Sequence, residues 1–81
     1  MKYHVIADED TVKGFSLLGV EGTVIFSTQT AKQQTGFALF NAFCDKKLGA
    51  VIITRSIANT VRPIIEKHRQ SGNFPEIIEI L

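Results

Sequence analysis

The fold of this chain of 81 residues is best predicted from the run A-V-I-I-T at residues 50–54. Four of its five side chains are β-branched and none is charged, which is typical of a β-strand. It is the clearest strand signal in the chain. We therefore expect it at the centre of a β-sheet.

Changes of hydrophobic period on both sides of this stretch predict three more strands and three helices. The further strands are predicted at residues 3–7, 23–26 and 76–81. The helices are predicted at residues 11–18, 31–47 and 56–71. Two glutamates interrupt the last strand, so we expect it at an edge of the sheet. Proline lacks a backbone donor and crowds the preceding turn, so we expect a break in the third helix between Arg62 and Pro63.

Several residues with capping chemistry stand at the predicted helix ends. Gly19 suits a left-handed C-cap of the first helix. Ser27, Thr28 and Thr30 offer oxygens for the N-cap of the second helix, and Ser56 does so for the third. These residues support the predicted boundaries.

The predicted order is βαβαβαβ, without a repeat or a linker, over a single α/β domain of residues 1–81. Right-handed crossovers then give a small flavodoxin-like or Rossmann-like arrangement, a four-stranded parallel sheet flanked by helices on both faces. The most natural strand order is 2-1-3-4. Ligands and partners of such sheets usually meet the loops at the carboxyl ends of the strands, here residues 8–10, 27–30 and 54–56.

Composition and charge exclude several classes of protein. The chain is 44% hydrophobic and has a formal net charge of +1. This hydrophobic content excludes a disordered chain. The chain also lacks the excess of basic residues that a nucleic-acid binder carries. The single cysteine, Cys44, cannot form an internal disulfide, which favours a cytoplasmic setting. The apolar run near the N-terminus is too short for a signal peptide or a membrane span, so we expect no direct membrane insertion.

The side chains with catalytic or ligand chemistry predict no catalytic, cofactor-binding or metal site. No glycine-rich phosphate loop occurs. Asp8, Glu9 and Asp10 suit either a hard cation or the N-terminus of the first helix, and the helix is favoured. A receiver-like signalling domain shares this topology, but Thr54 stands where its aspartate acceptor belongs.

Three further residues are expected to have structural roles. Cys44 is expected to be a small buried hydrophobe within the second helix, because no cation or helix N-terminus adjoins it. His4, on the first strand, is expected to be a residue of the core edge or of the sheet. His68 is favoured near a helix C-terminus by the helix dipole.

The second predicted helix carries more apolar surface than one sheet face needs. Its apolar residues spread over about half of the helical circumference at 100° per residue; they are Phe37, Leu39, Phe40, Phe43, Cys44 and Leu48. Either the helix is deeply buried, or it has a second apolar surface for another protein. The candidate partner interface consists of Phe37, Phe40 and Phe43. One possible partner is a second copy of the chain, in which case the protein is a self-associating scaffold and a homo-oligomer in isolation.

Three blocks of sequence resemble the F subunit of the V-type and A-type rotary ATPases. They are A-D-E-D-T-V-K-G-F-S-L-L-G-V at residues 7–20, V-I-I-T-R-S-I-A-N-T-V-R-P-I-I at residues 51–65 and P-E-I-I-E-I at residues 75–80. The first block is the most specific. The positions that match the family pattern are Asp8, Asp10, Thr11, Gly14, Phe15, Gly19, Val20, Thr54, Ile57, Ala58 and Arg62.

The resemblance implies a non-catalytic subunit of the central stalk of the rotor, without a cofactor. Its implied partners are the coiled-coil shaft, which is the D subunit, and the catalytic head, at a cytoplasmic position peripheral to a membrane-bound complex. Its implied role is to help couple ATP hydrolysis or synthesis to ion transport. Family members usually continue into a C-terminal helical tail, whereas this chain ends at Leu81, so tail-dependent control of hydrolysis is not implied.

Overall fold

The strand around residues 50–54 lies inside a four-stranded parallel β-sheet. The computed structural model describes residues 2–26 and 29–81. Its strands are β1 (Lys2–Ala7), β2 (Glu21–Val24), β3 (Leu48–Thr54) and β4 (Glu76–Ile80), in the spatial order β2-β1-β3-β4. All three strand pairs are parallel. The predicted α/β class, strand order and edge position of the last strand are therefore confirmed.

Within the described residues, four helices cover the two faces of this sheet unequally. They are α1 (Glu9–Ser16), α2 (Ala31–Phe43), α3 (Arg55–Ala58) and α4 (Arg62–Ser71), with a 3₁₀ turn at Asn59–Val61. Helix α1 packs on β1 and β2 from one face, where Val12 lies close to Val5. The other three helices share the opposite face, and α2 lies over β1 and β3 there.

The main hydrophobic core lies between the sheet and α2, α3 and α4. Ile6 pairs with Ile53 in the sheet register, so both side chains point to this face. Leu39 of α2 and Ile65 of α4 meet them from above, and all four side chains are fully buried. Burial stabilises the fold by roughly 25 cal/mol per Å² of apolar area, so this cluster helps to hold α2 and α4 on the sheet.

Two of the predicted elements begin earlier in the sequence than predicted, because their backbone hydrogen bonds start before their first apolar residue. Strand β2 begins at Glu21 rather than residue 23, where it pairs with His4 of β1. Helix α1 begins at Glu9 rather than Thr11, because Asp8 already serves as its N-cap. Each of the two elements thus begins with polar residues that hydrophobic periodicity assigns to a turn.

The predicted end of the second helix and the burial of Cys44 are wrong. Helix α2 ends at Phe43, and Cys44 is its exposed C-cap residue. Asp45 closes the following turn: its carboxylate accepts from the Lys47 amide at 3.0 Å, and its carbonyl accepts from the Leu48 amide at 3.1 Å. The turn lets β3 start at Leu48, and it leaves the Cys44 side chain outside the core.

The predicted N-caps of the later helices are also wrong where the structure describes them. Thr30 lies at the N-cap of α2 without a capping hydrogen bond from its side chain, and Ser27 and Thr28 lie outside the described residues. Thr54, not Ser56, precedes α3. Neither helix begins with a capping hydrogen bond from the side chain of its N-cap residue.

The break in the third predicted helix is present, one residue earlier than predicted. The 3₁₀ turn ends at Val61, and α4 begins at Arg62 with Pro63 in its first turn. Amides in the first turn of a helix have no partner within the helix, so proline costs little there. The chain therefore breaks before Arg62 rather than after it.

No helix within residues 2–26 and 29–81 combines the length and the apolar run that crossing a lipid bilayer requires.

Candidate interaction surface

The acidic turn after β1 serves as a helix cap. A carboxylate oxygen of Asp8 accepts from the Thr11 amide at 3.2 Å, and the other accepts from the Thr11 hydroxyl at 2.7 Å. These bonds, the hydroxyl first, lower the pKa of Asp8 below its ordinary value. Glu9 and Asp10 lie in the first turn of α1, where the helix dipole favours negative charge. The favoured helix interpretation of these acids is thereby confirmed for Asp8.

The end of α1 contains three of the positions predicted from the resemblance, Phe15, Gly19 and Val20, and each has a structural role there. Gly19 has a φ of 81°, a left-handed conformation that glycine adopts without steric cost. Its amide donates to the Ser16 carbonyl at 3.0 Å, and the Val20 amide donates to the Phe15 carbonyl at 3.2 Å. This pair of bonds is a Schellman motif, with Phe15 and Val20 at the positions that usually make its hydrophobic contact. The predicted cap at Gly19 is confirmed.

The outer side of α1 carries a small apolar depression. Thr11, Gly14, Phe15 and Leu18 line it, and it encloses about 160 Å³. Three of these four residues, Thr11, Gly14 and Phe15, are among the positions predicted from the resemblance. The first block therefore combines the cap of α1 with a continuous stripe on its surface.

Three of the positions predicted in the second block, Thr54, Ile57 and Ala58, pack into the fold. Thr54 ends β3, is buried, and has no hydrogen-bond partner for its hydroxyl within the described structure. Ala58 is fully buried, and Ile57 packs against the main core. A threonine at the end of β3 leaves no carboxylate at the place where a receiver-like domain needs its acceptor.

Arg62 joins α4 to the edge strand through a bidentate ion pair. Its guanidinium donates to the two carboxylate oxygens of Glu79 at 2.5 and 3.0 Å, and it also donates to Asn59. Arg69, further along α4, approaches Glu79 at 3.0 Å. The hydrogen bonds from Arg62 first, and then those from Arg69, lower the pKa of Glu79 from 4.5 to about 2.

Glu79→Gln is expected to lower the free energy of unfolding at neutral pH by about 1–2 kcal/mol, because it removes the negative charge that pairs with Arg62. The loss is no larger because solvent screens part of this ion pair. The folded-state pKa of Glu79 is depressed, so its contribution is full above pH 4.5 and is lost as the pH falls towards 2. Urea unfolding between pH 7 and pH 3 measures this.

The variant should therefore lose less stability on acidification than the parent chain. Glu76→Gln, at the exposed start of the same strand, is the matched control. Parallel pH profiles for Glu79→Gln and the parent would contradict the role assigned to the pair.

The two histidines have structural partners. His4 is half-buried in β1, its Nε2 lies 2.8 Å from the Thr23 hydroxyl, and burial lowers its pKa. His68 lies in the last turn of α4, and its Nε2 donates to the Pro75 carbonyl at 2.7 Å. Within residues 2–26 and 29–81 no three His, Cys, Asp or Glu side chains come together in a way that holds a metal ion.

The structure separates the three phenylalanines of the candidate partner interface. Phe43 packs against the main core and stacks on His68, with ring centroids 4.0 Å apart. Phe37 and Phe40 are 70% and 64% exposed on the outer side of α2. Which of the three touches a partner stays a prediction, but only two of them lie on an open surface.

Phe37 also borders two adjoining depressions between α2 and β2. One, of about 470 Å³, extends along α2 to Asn41 and Asp45, and the other, of about 400 Å³, extends to Phe26. The two share Thr23, Gln34 and Phe37, so they form one groove, called the α2–β2 groove below. Sequence periodicity does not reveal that Thr23, Phe26 and Gln34 lie around Phe37, because it does not show that β2 has no helix packed over it on the face that carries α2.

Comparison with known proteins gives consistent matches. A family model described as ATP synthase (F/14-kDa) subunit matches residues 4–80. The probable F subunit of the V-type proton ATPase of Caenorhabditis elegans is 36% identical over 85 aligned positions, which cover 94% of this chain and 68% of the relative. The F subunit of the A-type ATP synthase of Methanothermobacter thermautotrophicus is 35% identical over 77 positions, with the same coverage.

A solved structure matches the fold. It is the crystal structure of the F subunit of the V-type ATP synthase of Archaeoglobus fulgidus, which superposes with a TM-score of 0.80. The match covers 99% of this chain and 96% of that one, at 17% sequence identity. The small parallel α/β sheet described above is therefore an architecture that this subunit adopts.

Proposed function

The chain belongs to the family described as ATP synthase (F/14-kDa) subunit, that of the F subunit of V-type and A-type ATPases, and from this premise we propose that it is a non-catalytic subunit of the central stalk. In this proposal residues 1–81 act as one domain that binds the coiled-coil D subunit and turns with it inside the catalytic head. The domain is then peripheral to the membrane sector, and it helps couple ATP hydrolysis or synthesis to ion transport.

The match of residues 4–80 to the family model carries this proposal. The exposed aromatic side chains of α2 support it from the geometry. Phe37 and Phe40 leave most of their ring surface in water, and burying one phenylalanine side chain contributes about 1.5–3 kcal/mol. A subunit that works by binding its neighbours needs such surface, and a stalk position supplies the neighbours that cover it.

Mixing the purified chain with a coiled coil of the D subunit is expected to give a single co-eluting complex in size-exclusion chromatography at micromolar concentration. The expected Kd is micromolar or lower, because stable interfaces of standard size reach this range. Multi-angle light scattering of the same peak measures its stoichiometry.

A coiled coil of the same length with an unrelated heptad sequence is the control for non-specific association. Separate elution of the chain and the D subunit at micromolar concentration would reject the stalk proposal. A peak that contains two copies of the chain and no shaft coiled coil would favour the self-associating scaffold instead.

A further inference from the structure

The α2–β2 groove exists because the helices cover the sheet unevenly. Helix α2 packs over β1 and β3, so the neighbouring edge strand β2 lies beside α2 rather than under it. Thr23 of β2 and His4 of β1 form part of the floor, and α2 forms one wall. In an α/β protein this layer is normally occupied by a helix packed on the strands.

One end of the groove is apolar. Ile25 and Phe26 follow β2 there, and Phe37 faces them from α2. Phe26 is 77% exposed, the highest value among the phenylalanines in the described part of the chain. None of the described residues that line this end carries a charge. An occupant must therefore bring apolar side chains to this end.

The other end of the groove has an excess of negative charge. Lys2 lies between two carboxylates, with its Nζ 3.3 Å from Asp45 and 3.9 Å from Glu21. One ammonium faces two carboxylates here, so one negative charge is left over among these groups. A lysine or arginine on the occupant would complement it, as charged groups across an interface usually do.

The wall formed by α2 has helical spacing. Gln34, Phe37 and Asn41 follow one another along the groove at intervals of three and four residues, and Asp45 lies in the turn after the helix. A second helix lying against such a row places its own side chains between them at the same spacing. A strand added to the free edge of β2 would instead lie in the plane of the sheet and leave this wall uncovered.

We infer that the α2–β2 groove binds an amphipathic helix of a neighbouring subunit, with apolar residues against Phe26 and Phe37 and a basic residue beside Glu21 and Asp45. The inference rests on the proposed function. In that setting the bound helix is one helix of the coiled coil of the D subunit. It assigns the contact to one side of α2 and leaves Phe40 outside it.

The apolar end is tested with Phe37→Ser, measured by isothermal titration against the coiled coil of the D subunit. We expect Kd to rise at least about tenfold, since an aromatic anchor in a docking groove carries a large part of the binding energy. Phe40→Ser is the matched control, because Phe40 is an exposed phenylalanine of the same helix that does not line the groove. Its Kd should change less than about twofold.

The charged end is tested with Glu21→Lys, whose side chain is exposed and makes a long contact with Lys2. We expect Kd to rise about three- to tenfold at low salt, with a smaller effect at high salt. Changing the basic residue of the bound helix, lysine or arginine, to glutamate should restore part of the affinity that Glu21→Lys loses. The same change should weaken binding to the parent chain.

The outcomes separate this inference from the stalk proposal. If the parent chain does not bind the D subunit, the proposed function itself fails. If the parent binds and Phe37→Ser and Glu21→Lys bind equally well, the stalk role stands and the groove is rejected. If Phe37→Ser changes only the association of the chain with itself, a second copy occupies the groove and the inference is overturned. Thermal unfolding of each variant checks that its fold is retained.

Discussion

Leu39→Ala is expected to lower the free energy of unfolding by about 3–5 kcal/mol, the upper part of the range for truncating a buried leucine. Leu39 is fully buried at the middle of α2, where it belongs to the core cluster with Ile6 and Ile53 of the sheet. The substitution removes apolar contact area and leaves a cavity between a helix and two inner strands, neither of which closes easily.

This loss is large for a domain of this size, whose total stability is expected to be about 5–10 kcal/mol. Equilibrium urea unfolding followed by circular dichroism measures it. Phe40→Ala is the matched control on the same helix, and because Phe40 is exposed its effect should stay within about 0.5 kcal/mol. A loss below about 1 kcal/mol for Leu39→Ala would mean that α2 does not pack on the sheet as described.

The contrast between Leu39 and Phe40 shows how far sequence reasoning carries in this protein. The strands and their order could be predicted, because β-branched runs such as residues 50–54 indicate strands and right-handed crossovers limit the topology. Which apolar residues of α2 are covered could not be predicted in the same way. Hydrophobic period identifies a wide apolar helix, but it does not say which neighbours lie against each side.

Phe43 and Cys44 illustrate the same limit at the end of α2. The apolar pattern treats the two residues alike, yet Phe43 packs on His68 of α4 and Cys44 faces solvent. The contact of Phe43 depends on a separate helix much further along the chain, and the exposure of Cys44 depends on the turn that Asp45 closes. The α2–β2 groove has the same origin, since it results from the place where α2 crosses the sheet.

Gly22 is the position at which close approach, rather than conformation, requires glycine. It pairs with Val5 in the sheet, and α1 passes directly above it. A Cβ atom built there would lie 2.5 Å from Val5 Cγ1, 2.9 Å from Val12 Cγ1 and 3.0 Å from the Val5 carbonyl oxygen. The apolar pattern gives no sign of this contact, because a glycine next to a predicted strand suggests only a turn.

Gly22→Ala is expected to lower the free energy of unfolding by about 2–3 kcal/mol, in the upper part of the range for overpacking, because the new methyl group meets two branched side chains and a backbone carbonyl. Relief requires Val5 or Val12 to leave its rotamer, or α1 to move away from β2. Gly14→Ala is the control of opposite sign: nothing lies within 4 Å of its Cβ position, and alanine favours the helix interior by up to about 1 kcal/mol.

The double variant Gly22→Ala/Val12→Ala separates the two ways of relieving this clash. If the contact with α1 dominates, removing the Val12 methyl groups should make the cost of the added methyl at Gly22 smaller than it is in the parent background. If the cost is the same in both backgrounds, the clash lies within the sheet at Val5.

Since α1 carries the depression around Phe15 and Leu18, while the α2–β2 groove lies on the other face, Gly22→Ala should leave the affinity for the D subunit unchanged below its unfolding transition. A loss of affinity in the folded variant would show either that the face carrying α1 contacts the D subunit, or that the added methyl group displaces Glu21 and Thr23, which flank Gly22 and line the groove.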